Sequence, residues 1–135
     1  MPLNQKRIMT KPFTHFVGID WSGAKGKRHA GLSVALCDAG KGRIKIVLPP
    51  DGKKRWSREG IADWIASGCG LPEDARVLVG IDSAYSIPFL DEKSYIPGGT
   101  KAGDAKSLWQ EVDDICTGAE DLFGGPFVDK YAEHY

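Results

Sequence analysis

The residues of this chain best suited to chemistry are two aspartates, each closing an apolar run. Asp20 ends Val17-Gly18-Ile19-Asp20 and Asp82 ends Val79-Gly80-Ile81-Asp82. A serine follows each within two positions, Ser22 after the first and Ser83 after the second. If the two runs are neighbouring strands that finish at one sheet edge, their carboxylates leave the sheet ~5 Å apart. Like charges at that separation favour protonation of one partner unless a cation compensates. Hard oxygen donors of this kind suit Mg2+ or Mn2+. The plainer reading is that each aspartate only caps the turn after its strand through local side-chain to backbone bonds. Either one alone fits that reading, whereas both together at a common edge favour a metal site.

The elements that must position this pair follow from hydrophobic period and turn chemistry. Thr14 to Asp20 reads as a first strand, and the Gly- and Lys-rich turn Gly23 to Lys27 leads into a second over His29 to Cys37, where Ala30, Leu32, Val34 and Leu36 alternate. Asp38 to Gly42 is turn chemistry, and Arg43 to Leu48 reads as a third strand stopped by Pro49-Pro50. Ser57 is a plausible helix N-cap with Glu59 in the first turn, Ile61, Trp64 and Ile65 form a buried stripe, and Gly68, Gly70 and Pro72 end the helix. Arg76 to Ile81 is a nearly continuous apolar run, a fourth strand ending on Asp82. Three antiparallel strands and a helical crossover bring that strand back parallel to the first, so both aspartates finish at the same edge. A long loop with Pro88, Pro97, Gly98 and Gly99 precedes a second helix carrying Leu108, Val112, Ile115 and Cys116 on one face. From Leu122 to Tyr135 the aromatics Phe123, Phe127, Tyr131 and Tyr135 have no clear element to bury them.

A length of 135 residues fits one domain, read as 14–135 after a basic tail, Met1 to Phe13. No apolar run approaches the roughly 20 residues of a membrane helix, and the start lacks the apolar centre of a signal peptide, so a soluble, cytoplasmic protein is expected. Cys37, Cys69 and Cys116 form no Cys-x-x-Cys pair and read as reduced thiols in or near the core. Net charge is zero, but residues 1–60 hold 13 of 18 basic and 4 of 18 acidic groups, +9, and the remainder is therefore −9. Lys25, Lys27, Arg28, Lys41, Arg43, Lys45, Lys53, Lys54, Arg55 and Arg58 read either as a phosphate-tracking surface or as a solvated face drawn to an acidic layer. Trp56, Trp64 and Trp109 read as packing aromatics, Trp21 reads as core packing ahead of stacking on a base, and His15, His29 and His134 show no ligand spacing.

Strand, hairpin, third strand, helix and a second Asp-ending strand resemble the opening of the ribonuclease H-like superfamily. Within it the chain is similar to the family called domain of unknown function 429, described as predicted nucleases of that fold. The resemblance rests on Val17-Gly18-Ile19-Asp20-Trp21-Ser22-Gly23-Ala24 and on Gly80-Ile81-Asp82 running through Ser86 and Pro88. Leu108-Trp109 with Glu111, and Phe123-Gly124-Gly125-Pro126, add weaker matches. It implies an α/β domain with a mixed sheet, three antiparallel strands and a fourth parallel to the first, truncated at its C-terminus. It also implies Mg2+ or Mn2+, Asp20 as the ligand bridging two metals and Asp82 as the second ligand. Such nucleases complete the site with a third carboxylate from a late helix, and neither Asp129 nor Glu133 has a convincing helical context for it.

In that scheme Ser22 and Ser83 orient the carboxylates by hydrogen bonds, and Lys25, Lys27 and Arg28 hold a substrate phosphate. Serines after a strand are also common turn formers. The leading expectation is a metal-dependent nuclease whose partner is nucleic acid. The first alternative is a phosphate- or nucleotide-binding domain of the actin and sugar-kinase branch, which normally needs a second, similar domain. The other is a catalytically incomplete binding module. A half-built fold often completes its core by pairing with a second copy, so a homo-oligomer belongs among the expectations.

Overall fold

Alternation along the first strand decides which side of the sheet is covered. In β1, His15–Asp20, Val17 and Ile19 are buried, whereas Phe16, Gly18 and Asp20 are exposed. In β2, Ser33–Asp38, the buried residues are Val34 and Leu36. In β4, Val77–Asp82, the half-buried set is Val77, Val79 and Ile81, against exposed Leu78, Gly80 and Asp82. Helix α1, Arg58–Ala66, covers the inward side with Ile61 and Trp64, and Trp56 meets Trp64 edge-on at 5.7 Å between ring centroids. The computed structural model describes residues 11–83, 87, 89 and 93–134. Met1 to Thr10, most of the expected tail, and Ser86 and Pro88 of the resemblance lie outside the described residues.

The sheet order is β3-β2-β1-β4, with β1 antiparallel to β2 and parallel to β4, and with α1 in the crossover. This is a ribonuclease H-like α/β topology. Local chemistry explains its boundaries. Asp38 accepts the N–H groups of Gly40 at 2.8 Å and Lys41 at 3.2 Å, closing the turn into β3, Ile44–Val47. Ser57 caps α1 by accepting the Gly60 N–H at 3.1 Å, and Gly68 at φ 89° supplies the left-handed exit. The second strand starts at Ser33 instead of His29, because the Leu32 N–H turns back to the His29 carbonyl at 3.3 Å.

The outward side of the sheet stays open among the described residues. Ile44 is 74% exposed and Ile46 69%, and Phe16 and Leu78 are exposed beside them. Phe127 and Tyr131 of the aromatic tail do not lie on that face, and Tyr135 lies outside the described residues. Helix α3, Gly125–Lys130, together with short 3-10 turns at Glu120–Leu122 and Ala132–His134, packs Phe127 and Tyr131 against Leu108 of helix α2, Ala105–Ile115. Phe127 and Tyr131, which looked untethered, therefore form a second apolar cluster with Ile96 and Ala102. Trp109, read as a packing aromatic, is half exposed. Cys69 is buried and Cys37 and Cys116 partly so, all three unbridged. No helix among the described residues is long and apolar enough to cross a membrane.

A polar knot holds the second cluster. The Glu111 carboxylate accepts the hydroxyls of Thr100 and Tyr131, with Lys130 Nζ at 3.9 Å. Burial by itself would raise the Glu111 pKa, but the two hydroxyls and Lys130 outweigh it and hold the carboxyl below its ordinary value. Stability from this knot is therefore present at neutral pH and is lost as pH falls through the folded pKa. Tyr131→Phe should cost about 1.5 kcal/mol, the low end for a bond to a charged group, because the Glu111 side chain is 24% exposed. The loss should shrink on acidification. Urea melts of both proteins from about pH 7 to about pH 3 check this, and a pH-independent loss would mean that the carboxylate contributes nothing through this bond.

Candidate metal site at the edge of the sheet

The parallel ladder of β1 and β4 brings the two candidate ligands together. Asp20 and Asp82 are direct register partners, as are Gly18 and Gly80 two residues earlier. Partners across a ladder project to the same face, and adjacent strands are ~4.8 Å apart. Both aspartates are exposed and lie on the open face, away from α1. The glycine pair carries no side chain beside them, and a Cβ added at Gly18 would meet nothing within 4 Å. No packing demand explains a glycine at that position.

Two carboxylates with open coordination space fit Mg2+ or Mn2+, which commonly take one or two protein carboxylates and fill the remaining positions with water and phosphate oxygens. No group of three or more His, Cys, Asp or Glu able to hold a metal occurs among the described residues. Asp129, denied a helical context by its sequence, lies in α3 and is exposed, and Glu133 is in the last 3-10 turn. Neither joins Asp20 and Asp82 in such a group.

The serines behave first as turn formers. Ser22 Oγ accepts the Ala24 N–H at 3.2 Å, and the Ser83 N–H donates to the Ile81 carbonyl at 3.0 Å. Trp21 is half-buried and packs on the first core cluster. The cations expected to hold phosphate are divided. Lys25 is exposed, Lys27 Nζ lies 3.9 Å from Glu59 in a pair that is 50% exposed on both sides, and Arg28 is engaged by Asp51 at 2.5 Å and the Arg55 carbonyl at 2.6 Å. An exposed pair such as Lys27 with Glu59 contributes ~0–1 kcal/mol and yields readily to a stronger anion.

Arg28 thereby stitches the first hairpin to the basic loop with Lys53, Lys54 and Arg55. Because β3 runs in the same direction as β1, that loop opens at the same edge as Asp20 and Asp82. The Asp38–Ile44 turn, with Lys41 and Arg43, lies at the opposite edge. Five exposed cations, Lys25, Lys27, Lys53, Lys54 and Arg55, thus share the edge of the carboxylate pair.

Arg58 leaves the surface group entirely. Its side chain is 1% exposed, and its guanidinium donates to the carbonyls of Ser22 at 2.9 Å, Gly26 at 3.3 Å and Asp121 at 2.9 Å, and to that of Ala24. It also faces the Asp121 carboxylate at 3.3 Å and His29 Nε2 at 3.4 Å. Asp121, with a fully buried side chain, accepts the N–H groups of Arg58 and Glu59, both at 2.9 Å, at the start of α1. Sequence reasoning missed Asp121 and put Arg58 among solvent-facing cations. The left-handed backbone of Asp121, φ 52° and ψ 47°, is one that Asp tolerates better than most residues, but nothing local names its partner.

Sought among known proteins, the chain matches no family model, no curated protein and no solved structure.

Proposed function

We propose that the chain is a divalent-metal-dependent phosphodiesterase acting on nucleic acid, as the motif resemblance to the domain of unknown function 429 family implies. The observation that carries this reading is the register pairing of Asp20 with Asp82 on the open face of two parallel strands. Asp20 and Asp82 would hold Mg2+ or Mn2+. When bound, such an ion supplies Lewis-acid stabilisation of charge developing on a phosphoryl oxygen. The five cations at the same edge support a polyanionic substrate, because phosphate neutralisation supplies most of the sequence-independent affinity for nucleic acid. Lys25 and Lys27 are the phosphate contacts in this scheme, and Arg28 sets the spacing of the two loops through Asp51 and the Arg55 carbonyl.

The test is incubation of end-labelled single- and double-stranded DNA and RNA with the protein and Mn2+, then with Asp20→Asn and Asp82→Asn. Cleavage should require the metal and fall by at least about 100-fold in each variant, since loss of a mere supporting partner already costs 10- to 100-fold. Equal rates in wild type and variants would remove the chemical basis of the proposal. Mn2+ binding without cleavage of any of these substrates would favour a binding module instead.

A further inference from the structure

We propose that Arg58 and Asp121 are positioning residues that fix the loop leaving Asp20, so that the turn after α2 governs how well the Asp20 and Asp82 pair binds a divalent cation. The inference rests on the reading of that pair as a metal site. Its structural half, the holding of the loop, stands on the contacts alone. Residues 22–26 belong to no helix or strand. The carbonyls of Ser22, Ala24 and Gly26 all converge on one guanidinium. Arginine suits this task because its planar fork offers five N–H donors in fixed directions. The pinned Ser22 is two residues from Asp20, so the chain around that carboxylate is held by the ladder to Asp82 on one side and by Arg58 on the other.

Asp121 in turn holds Arg58. Its carboxylate faces Nη1, its carbonyl accepts from the same atom, and it accepts the backbone N–H groups of Arg58 and Glu59 as well. Removing it frees both the guanidinium and the start of α1. Glu120–Leu122 lies between α2 and α3, so the residue that anchors Arg58 sits in the turn that joins those helices. A buried ion pair is weak evidence for stability, since apolar replacements often serve as well. The orientation of a glycine-rich loop beside two candidate ligands is a task that an apolar pair cannot perform.

The test uses the full chain with Asp121→Asn, which keeps size and removes charge, and with Arg58→Lys, which keeps charge and removes the fork. Tyr131→Phe serves as a destabilised control outside the contact. Amide hydrogen exchange by mass spectrometry and calorimetric titration with Mn2+ are read on each. Exchange at the Ala24 amide, which donates to Ser22 Oγ, should accelerate at least about tenfold in both variants while the β1, β2 and β4 amides stay protected and the control leaves that amide unchanged. Mn2+ affinity should fall about tenfold, within the range seen when partners that orient metal ligands are lost. Neither variant should lower it further on an Asp20→Asn background. An unchanged loop in variants with a protected sheet would overturn the proposal, and so would a loosened loop with unaltered Mn2+ affinity. Absence of Mn2+ binding by the wild type would sink the metal-site reading and, with it, the governing of affinity. Exchange would then decide only whether Arg58 and Asp121 hold the loop.

Discussion

Asp121→Ala should cost about 3–5 kcal/mol of folding stability, the usual consequence of leaving one member of a buried ion pair without its partner. The Arg58 side chain is 1% exposed and that of Asp121 0%, so water cannot replace what the mutation removes. The loss has two parts. The Arg58 guanidinium keeps its carbonyl partners but loses its counter-charge, and the N–H groups of Arg58 and Glu59 lose their acceptor at the start of α1. Total stability of a domain this size is ~5–15 kcal/mol, so the change is a large fraction of it. At roughly 4 °C per kcal/mol the melting temperature should fall by about 10–20 °C. Arg58→Met alone should cost a similar amount, and the double variant Arg58→Met with Asp121→Ala should lose clearly less than the sum, as expected of residues in one network. It should not recover to wild type, because the carbonyls of Ser22, Ala24 and Gly26 would remain without their donor. Thermal and urea melts of the four proteins give the cycle. A loss below about 1 kcal/mol for Asp121→Ala would class the contact with solvent-screened pairs.

This contact marks the limit of what periodicity and turn chemistry reveal. The sheet was legible because Val17 and Ile19, then Val34 and Leu36, alternate with period two, and because Gly-Ile-Asp occurs at the end of two apolar runs. Strand order and the shared edge of Asp20 and Asp82 then followed from crossover geometry. Period two does not say which face receives the helix. Ile44 and Ile46 look like core residues and lie on the open face, while Val47 packs toward α1. Phe127 and Tyr131 are four apart, a helical spacing masked by the apparent break at Gly124-Gly125-Pro126. Pro126 falls in the first turn of α3, where proline is tolerated because its missing N–H has no intrahelical partner to lose. Arg58 and Asp121 are 63 residues apart, and no local pattern distinguishes a buried arginine from the surface cations around it.

Metal binding should be the clearest signature of the Asp20 and Asp82 pair. A ligand that binds only the folded state stabilises it by RT ln(1 + [L]/Kd), ~2.7 kcal/mol when free Mn2+ is about 100 times its Kd. At roughly 4 °C per kcal/mol that is a rise of about 10 °C in melting temperature. Asp20→Asn should abolish most of this rise, because it removes the charge of one of the two carboxylates paired in register across the ladder. In metal-free buffer the same variant should be equal to wild type or slightly more stable, since like charges directly opposite in a sheet are destabilising by ~0.2–1 kcal/mol. Asp82→Asn should repeat both effects, because the two positions are register partners on one exposed face. The opposite signs separate a ligand pair from two turn caps. A capping aspartate stabilises the protein without metal, so its loss lowers the melting temperature in metal-free buffer and leaves the Mn2+ response intact. Melting curves of wild type and both asparagine variants, with a chelator and with saturating Mn2+, decide between them. A metal-free loss combined with an undiminished Mn2+ response would make Asp20 and Asp82 structural residues and end the case for catalysis at this edge.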